Sequence, residues 1–167
     1  PRFHPNRRGF DEFVGFRGGF CGYWDYTLDR NGSLERGDGA YLTDRFTSEA
    51  VRFIDRHAER PFFLMVAYNA PHTPLTAPDE EIEPFRKQGD CTEAVATLYG
   101  MIARMDAGIA RIVETLEENG LANNTIVLVT SDNGPMFSGR GERDTRRWNG
   151  EFAGAKGDVL EGGIRVP

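Results

Sequence analysis

Cysteine is scarce in this sequence. Cys21 and Cys91 are the only two, too few for a disulfide framework. Neither stands in a CxxC pair or beside a histidine, so the usual spacing of a zinc site is missing. No apolar run approaches the roughly 20 residues that a membrane-spanning helix needs. Lysine is nearly absent, with Lys87 and Lys156 alone among 20 basic residues. The formal charge of −6, with no basic stripe interleaved with aromatics, argues against nucleic acid as a partner. An initiator methionine and a signal peptide are also missing. The opening PRFHPNRRGFDEF is already turn-rich, and the closing EGGIRVP stops in what reads as the start of a strand. Both ends are expected to continue into a longer chain.

What remains is ordinary globular material: 167 residues, 39% hydrophobic and 28% charged, enough for one domain with a core. Residues 1–40 are dense in aromatics and glycine without clean periodicity, which reads as an irregular, aromatic-pinned segment. From Asp44 to His57 the apolar positions Phe46, Ala50, Phe53 and Ile54 recur at helical spacing, with Thr43 available as a cap. Pro61 opens PFFLMVAY, an unbroken apolar run that fits a strand buried on both faces. Residues 69–92, with prolines at 71, 74, 78 and 84, read as loop. A long helix is expected from about Thr92 to Asn119, with Val95, Leu98, Ile102, Met105, Ile109, Ile112 and Leu116 as its buried stripe. Asp90 with Glu93 would form its capping pair, and Gly120 its left-handed end. TIVLVT, at 125–130, is the second buried strand.

Strand, crossover helix, strand makes a βαβ unit with parallel strands. Such sheets carry their working loops beyond the carboxyl ends of the strands. The loop after the first strand begins NAPHTP and the loop after the second begins SDNG, so His72 and the pair Asp132/Asn133 are expected on one edge of the sheet. Asp-Asn-Gly is also good turn chemistry, since Asn and Gly both tolerate left-handed backbone. The two readings, a turn and a pair of hard oxygen ligands for a cation, both stand on these residues alone. His72, flanked by Pro71 and Pro74, is either a loop histidine satisfied by backbone groups or a ring aimed by a fixed backbone. Lys156, among the glycines of GAKGDVLEGGIRVP, is either an exposed hairpin lysine or a point charge for an anionic oxygen. Arg165 is expected to pair with a carboxylate and fix that loop. Asp106 is expected to be a buried, hydrogen-bonded partner within the long helix, and His57 a surface residue at a helix end. The cluster RGERDTRRW, at 140–148, reads as a solvated loop or as a contact for an anionic substrate.

The ordered series RRGFDEFVGF, PFFLMVAYNAPHTP, YGMIARMDAGIARIVETLEENGLANNTIVLVTSDNG and GAKGDVLEGGIRVP resembles the middle of a formylglycine-dependent sulfatase. The resemblance covers nearly the whole chain and implies an α/β fold of the alkaline-phosphatase type, a sheet flanked by helices. It implies sulfate-monoester hydrolysis, with Asp132 and Asn133 as ligands of a divalent cation, usually calcium. His72 and Lys156 are implied as catalytic and substrate-binding residues. The family's nucleophile is a Cys or Ser of a C/S-x-P/A-S-R motif, oxidised to formylglycine, and neither Cys21 (CGYWD) nor Cys91 (CTEAV) matches it. The resemblance therefore places the nucleophile outside residues 1–167. It makes them a partial catalytic domain that lacks the N-terminal nucleophile region and the C-terminal part, inactive in isolation. The implied partners are a small-molecule or glycan sulfate ester and the rest of the sulfatase chain. Family membership alone suggests a periplasmic, secreted or lysosomal location. A phosphoester or phosphonate hydrolase of the same superfamily stays open, as does a non-catalytic binding piece.

Overall fold

Residues 3–136 and 150–166 are described by the structure, a computed structural model. Its hydrogen-bonded sheet lies near the N-terminus, where no strand is expected from the sequence. Strands β1 (Val14–Gly15), β2 (Thr27–Arg30) and β3 (Ser33–Arg36) pair antiparallel in the order β1-β2-β3. The hairpin signal is Asn31–Gly32. With φ of 51° and 100°, the two residues supply the left-handed backbone that a two-residue turn requires, and Arg30 faces Ser33 across it. Asp29, buried at the base of this turn, accepts from the N–H of Gly32, from His4 Nε2 at 3.0 Å and from Arg17 Nε.

Three helices form the body: α1 (Leu42–His57), α2 (Asp79–Gln88) and α3 (Glu93–Glu118). The sequence reading leaves α2 as loop on account of its prolines. Yet Pro78 is only its N-cap, and three acidic residues fill its first turn while Arg86 and Lys87 occupy its last, which suits the helix dipole. Thr43 does not cap α1. It lies inside the helix after the N-cap Tyr41, with its buried hydroxyl unpartnered among the described residues. Thr92, rather than Asp90 with Glu93, caps α3 by accepting from the N–H of Val95, and Gly120 adopts the left-handed conformation at its end. The buried stripe of α3 runs through Val95, Leu98, Met101 and Leu116, whereas Ile102 is exposed and Met105, Ile109 and Ile112 are half-buried. Asp106 is exposed rather than a buried partner. His57 is buried, stacked on Phe53 and 3.3 Å from Glu12. Arg104 ties the helices together, with a bidentate pair to Asp44 of α1 and a 2.9 Å bond to Glu81 of α2.

The two apolar runs differ from the expected buried strands. Along 62–68 the side chains alternate between half-buried and exposed, the period of an extended chain covered on one face. Phe63 is 74% exposed, and in the second run Leu128 is 86% exposed. Neither run carries strand pairing among the described residues. Extended backbone forms a ladder only against a neighbouring strand, and β1–β3 pair with one another instead. Within the closing EGGIRVP, Glu161–Ile164 form one short helix, α4, where the start of a strand is expected.

Candidate functional site

SDNG follows directly on the second apolar run. Gly134 donates its N–H to the carbonyl of Gly163 at 2.9 Å, and Lys156 donates its backbone N–H to the carbonyl of Pro135 at 2.8 Å. These two bonds clasp the loop of Asp132 and Asn133 against the glycine-rich segment of Lys156. The clasp depends on glycine: a Cβ on Gly134 would lie 1.8 Å from the carbonyl oxygen of Gly162, and one on Gly163 would lie 2.3 Å from that of Asp158. Asp158 closes the Lys156 loop by accepting from the N–H of Ala155, and Arg165 pairs with Glu161 as expected.

Three polar side chains, those of Asp132, Asn133 and Lys156, belong to the clasped segments. Asp132 is exposed, and its carboxylate has no hydrogen bond or ion pair among the described residues. Asn133 donates its amide N–H to the carbonyl of Gly134 at 3.0 Å, which leaves its Oδ1 as the open acceptor. Lys156 is exposed and carries no ion pair among the described residues. One carboxylate and one carboxamide oxygen suit a hard cation, although about six to eight oxygens complete a calcium shell. No group of three or more metal-ligating acids, histidines or cysteines occurs among the described residues. The donor chemistry therefore fits a divalent cation, and the donor number does not close its shell.

His72 is held by a different set of contacts. Its backbone N–H donates to the carbonyl of Asn69, and its Nδ1 lies 2.7 Å from the carbonyl of Thr73, which leaves Nε2 without a partner among the described residues. Tyr23 donates its hydroxyl to the carbonyls of Asn69 at 2.9 Å and His72 at 2.8 Å. Burial pushes the Tyr23 phenol well above its usual range, so it remains a donor at any physiological pH. Phe20, His72, Thr73 and Pro74 line an open depression of about 410 Å³. A larger depression of about 540 Å³, at Trp24, Tyr41 and Arg104, contains none of the four candidate residues. The structure thus joins Lys156 to Asp132 and Asn133, and joins His72 to Tyr23 and Phe20. The sequence reading overlooks Tyr23 and Phe20, because nothing in an aromatic-rich, aperiodic stretch marks which ring faces the His72 loop. The cluster RGERDTRRW lies outside the described residues.

The family model described as Sulfatase matches residues 2–167. The uncharacterised sulfatase YdeN of Escherichia coli is 35% identical over 170 residues, spanning 99% of this chain and 29% of its own length. Human N-acetylgalactosamine-6-sulfatase is 32% identical over 189 residues, spanning all of this chain and 34% of its own. Among solved structures, Ps i-CgsB in complex with k-i-k-neocarrahexaose superposes with a TM-score of 0.85 at 34% identity. That match covers all of this chain and 40% of that one. The chain thus spans about a third of the curated relatives it matches.

Proposed function

This chain belongs to the sulfatase family, whose α/β, alkaline-phosphatase-like fold it shares in part, and on that premise we propose that it forms part of the catalytic domain of a sulfuric ester hydrolase. The observation that supports the proposal is the clasp, which ties the backbone of the Lys156 segment to the loop of Asp132 and Asn133. A tetrahedral oxyanion needs such a combination of fixed positive charge and ligand oxygens around a cation.

In this reading Asp132 and Asn133 hold the divalent cation, calcium by its preference for oxygen ligands, with further donors supplied from outside residues 1–167. When bound, that ion offsets charge on the sulfate oxygens. Lys156 contributes a second positive charge to the same oxygens. With Nδ1–H given to the carbonyl of Thr73, the imidazolium form of His72 carries the Nε2 proton that hydrogen-bonds the bridging oxygen and passes to it as the S–O bond breaks, leaving neutral imidazole and the free alcohol. The Nδ1 contact with Thr73 fixes the ring orientation that this transfer needs. The nucleophile is a formylglycine outside residues 1–167, since neither Cys21 nor Cys91 has the required context.

The test is the complete protein, purified and assayed on an aryl sulfate with and without chelator. We expect turnover that chelation abolishes and calcium restores, and that Lys156→Ala lowers by about a hundredfold, the scale of one lost transition-state charge contact. A Lys156→Ala protein with full activity would remove the clasp from the mechanism.

A further inference from the structure

The turn that carries His72 has little of its own to hold it. Its four residues, Asn69 to His72, are closed by the bond from the His72 N–H to the carbonyl of Asn69 at 2.8 Å. From Asn69 to Ala77 no other backbone–backbone hydrogen bond occurs among the described residues. Pro71 and Pro74 lack the N–H that could make one. Residues 71–74 are all exposed, so packing fixes none of them.

Two tyrosines hold the loop instead. Tyr23 donates its hydroxyl to the carbonyls of Asn69 at 2.9 Å and His72 at 2.8 Å, so one O–H bridges both ends of the turn. Tyr41 donates its hydroxyl to the carbonyl of Thr76 at 2.9 Å, and Trp24 Nε1 lies 3.3 Å from Thr76 Oγ1. Both tyrosines are buried, at 1% and 2% exposure, and their rings stack 5.3 Å apart with 16° between the planes. The stack is rooted at the start of α1, where Tyr41 is the N-cap and the N–H of Leu42 donates to the carbonyl of Tyr23 at 2.8 Å. The exposed histidine is thereby tied to a rigid helix end through a residue 49 positions earlier.

We propose that Tyr23 is the positioning residue for His72, its hydroxyl fixing both ends of the turn so that the imidazole meets the ester oxygen in one place. Tyr41, stacked on it, fixes the far end of the loop at Thr76. The proposal deepens the sulfatase reading and rests on it. Tyr23 acts without touching substrate, through the backbone of the residue that does. In Tyr23→Phe the ring and its stack remain, but the carbonyl of His72 loses its donor among the described residues. The turn is then left to one bond, and the imidazole wanders from the leaving oxygen. General-acid transfer needs that oxygen within hydrogen-bond reach. The loss therefore grows with the leaving group's need for a proton.

Two measurements on the complete protein test this, with Tyr26→Phe as the control. Tyr26 is also buried and donates its hydroxyl to a carbonyl, that of Ala40, outside the His72 loop. In the first, hydrogen exchange of the peptide spanning residues 69–77 is followed by mass spectrometry, which requires no sulfatase chemistry. Tyr23→Phe should exchange the His72 amide at least about tenfold faster than the parent, as loosened turns do, and Tyr26→Phe should match the parent. In the second, kcat is compared for phenyl sulfate and 4-nitrophenyl sulfate, whose leaving groups differ in their need for a proton. Tyr23→Phe should lose about fivefold more on phenyl sulfate than on 4-nitrophenyl sulfate, the signature of a misplaced general acid. Tyr26→Phe should show no such difference. If the sulfatase reading alone fails, neither ester is turned over while the exchange contrast persists. Unchanged exchange in Tyr23→Phe, equal losses on the two esters, no loss on either, or the same pattern in Tyr26→Phe would overturn the proposal.

Discussion

The backbone N–H of Lys156 lies 2.8 Å from the carbonyl of Pro135, two residues beyond Asn133. This bond, with its companion between Gly134 and Gly163, ties the backbone of the Lys156 segment to the loop that carries Asp132 and Asn133. Steric room at the crossing is nil, since a methyl group on Gly134 would lie 1.8 Å from a carbonyl oxygen. Gly134→Ala in the complete protein should therefore part the two loops and reduce activity at least about tenfold, as small misplacements of catalytic groups do. Activity assays alongside thermal melts check this, and a fully active Gly134→Ala enzyme would show that the clasp is dispensable.

Asp132 is expected to matter as a ligand rather than as a turn residue. Asp132→Ala should weaken calcium binding by the complete protein, measured by titration calorimetry, and lower kcat about 10²–10³-fold. Asp132→Asn keeps the turn chemistry but removes the charge, so it should also be impaired. Equal calcium affinity in Asp132→Asn and the parent would return these residues to the turn reading.

Residues 1–167 alone should be inactive on 4-nitrophenyl sulfate and should expose apolar surface. Phe63, Ile126 and Leu128 stand open on segments that carry no strand pairing among the described residues, and such segments attract further strands or aggregate. Dye binding and sedimentation of the isolated piece are expected to show both effects. Turnover by the isolated piece would mean that it contains a nucleophile other than the one proposed.

Arg104 offers a stability test away from the site. It forms bidentate bonds to Asp44 and reaches Glu81, and its hydrogen bond to Asp44 raises its already high pKa. All three groups are partly exposed, so screening discounts the gain. Arg104→Leu should cost about 1 kcal/mol in denaturant unfolding. An unchanged midpoint would make the network incidental.

Acid sensitivity should trace in part to Asp29. Burial pushes its carboxyl up, but the N–H of Gly32, His4 and Arg17 together hold it below the usual carboxylate range. Its folded-state pKa is thus depressed. The stability it contributes is present above the unfolded value, near about 3.9, and is lost as pH falls through the lower folded value. Unfolding measured from pH 6 to pH 2 should show less acid destabilisation in Asp29→Asn than in the parent. Parallel acid limbs would rule Asp29 out as a contributor.

Long-range order was legible in the sequence where periodicity or punctuation carried it. The extents of α1 and α3, the left-handed Gly120 and the Arg165–carboxylate pair all follow from helical spacing, glycine and local charge. The β2–β3 hairpin was legible too, in Asn31–Gly32, but the surrounding aromatics mask it. Helix α2 hides behind Pro78 and Pro84, because prolines read as breakers even where one only caps the helix. The expected burial of 62–68 and 125–130 reflects what apolar strands require, whereas actual burial depends on neighbours that a periodicity reading cannot supply. The contact of Lys156 with Pro135 and the facing of Phe20 and His72 are tertiary, and no local signal encodes them.

The central claim is that Lys156, Asp132, Asn133 and His72 serve hydrolysis of a sulfate ester. Its most direct test is kcat/KM of the complete protein on 4-nitrophenyl sulfate and 4-nitrophenyl phosphate, side by side, for the parent and for His72→Ala. The account predicts that sulfate is preferred and that His72→Ala lowers sulfate turnover about 10²–10⁴-fold, the range of a lost general acid. Phosphate turnover far above sulfate turnover, or full sulfate activity in His72→Ala, would contradict it.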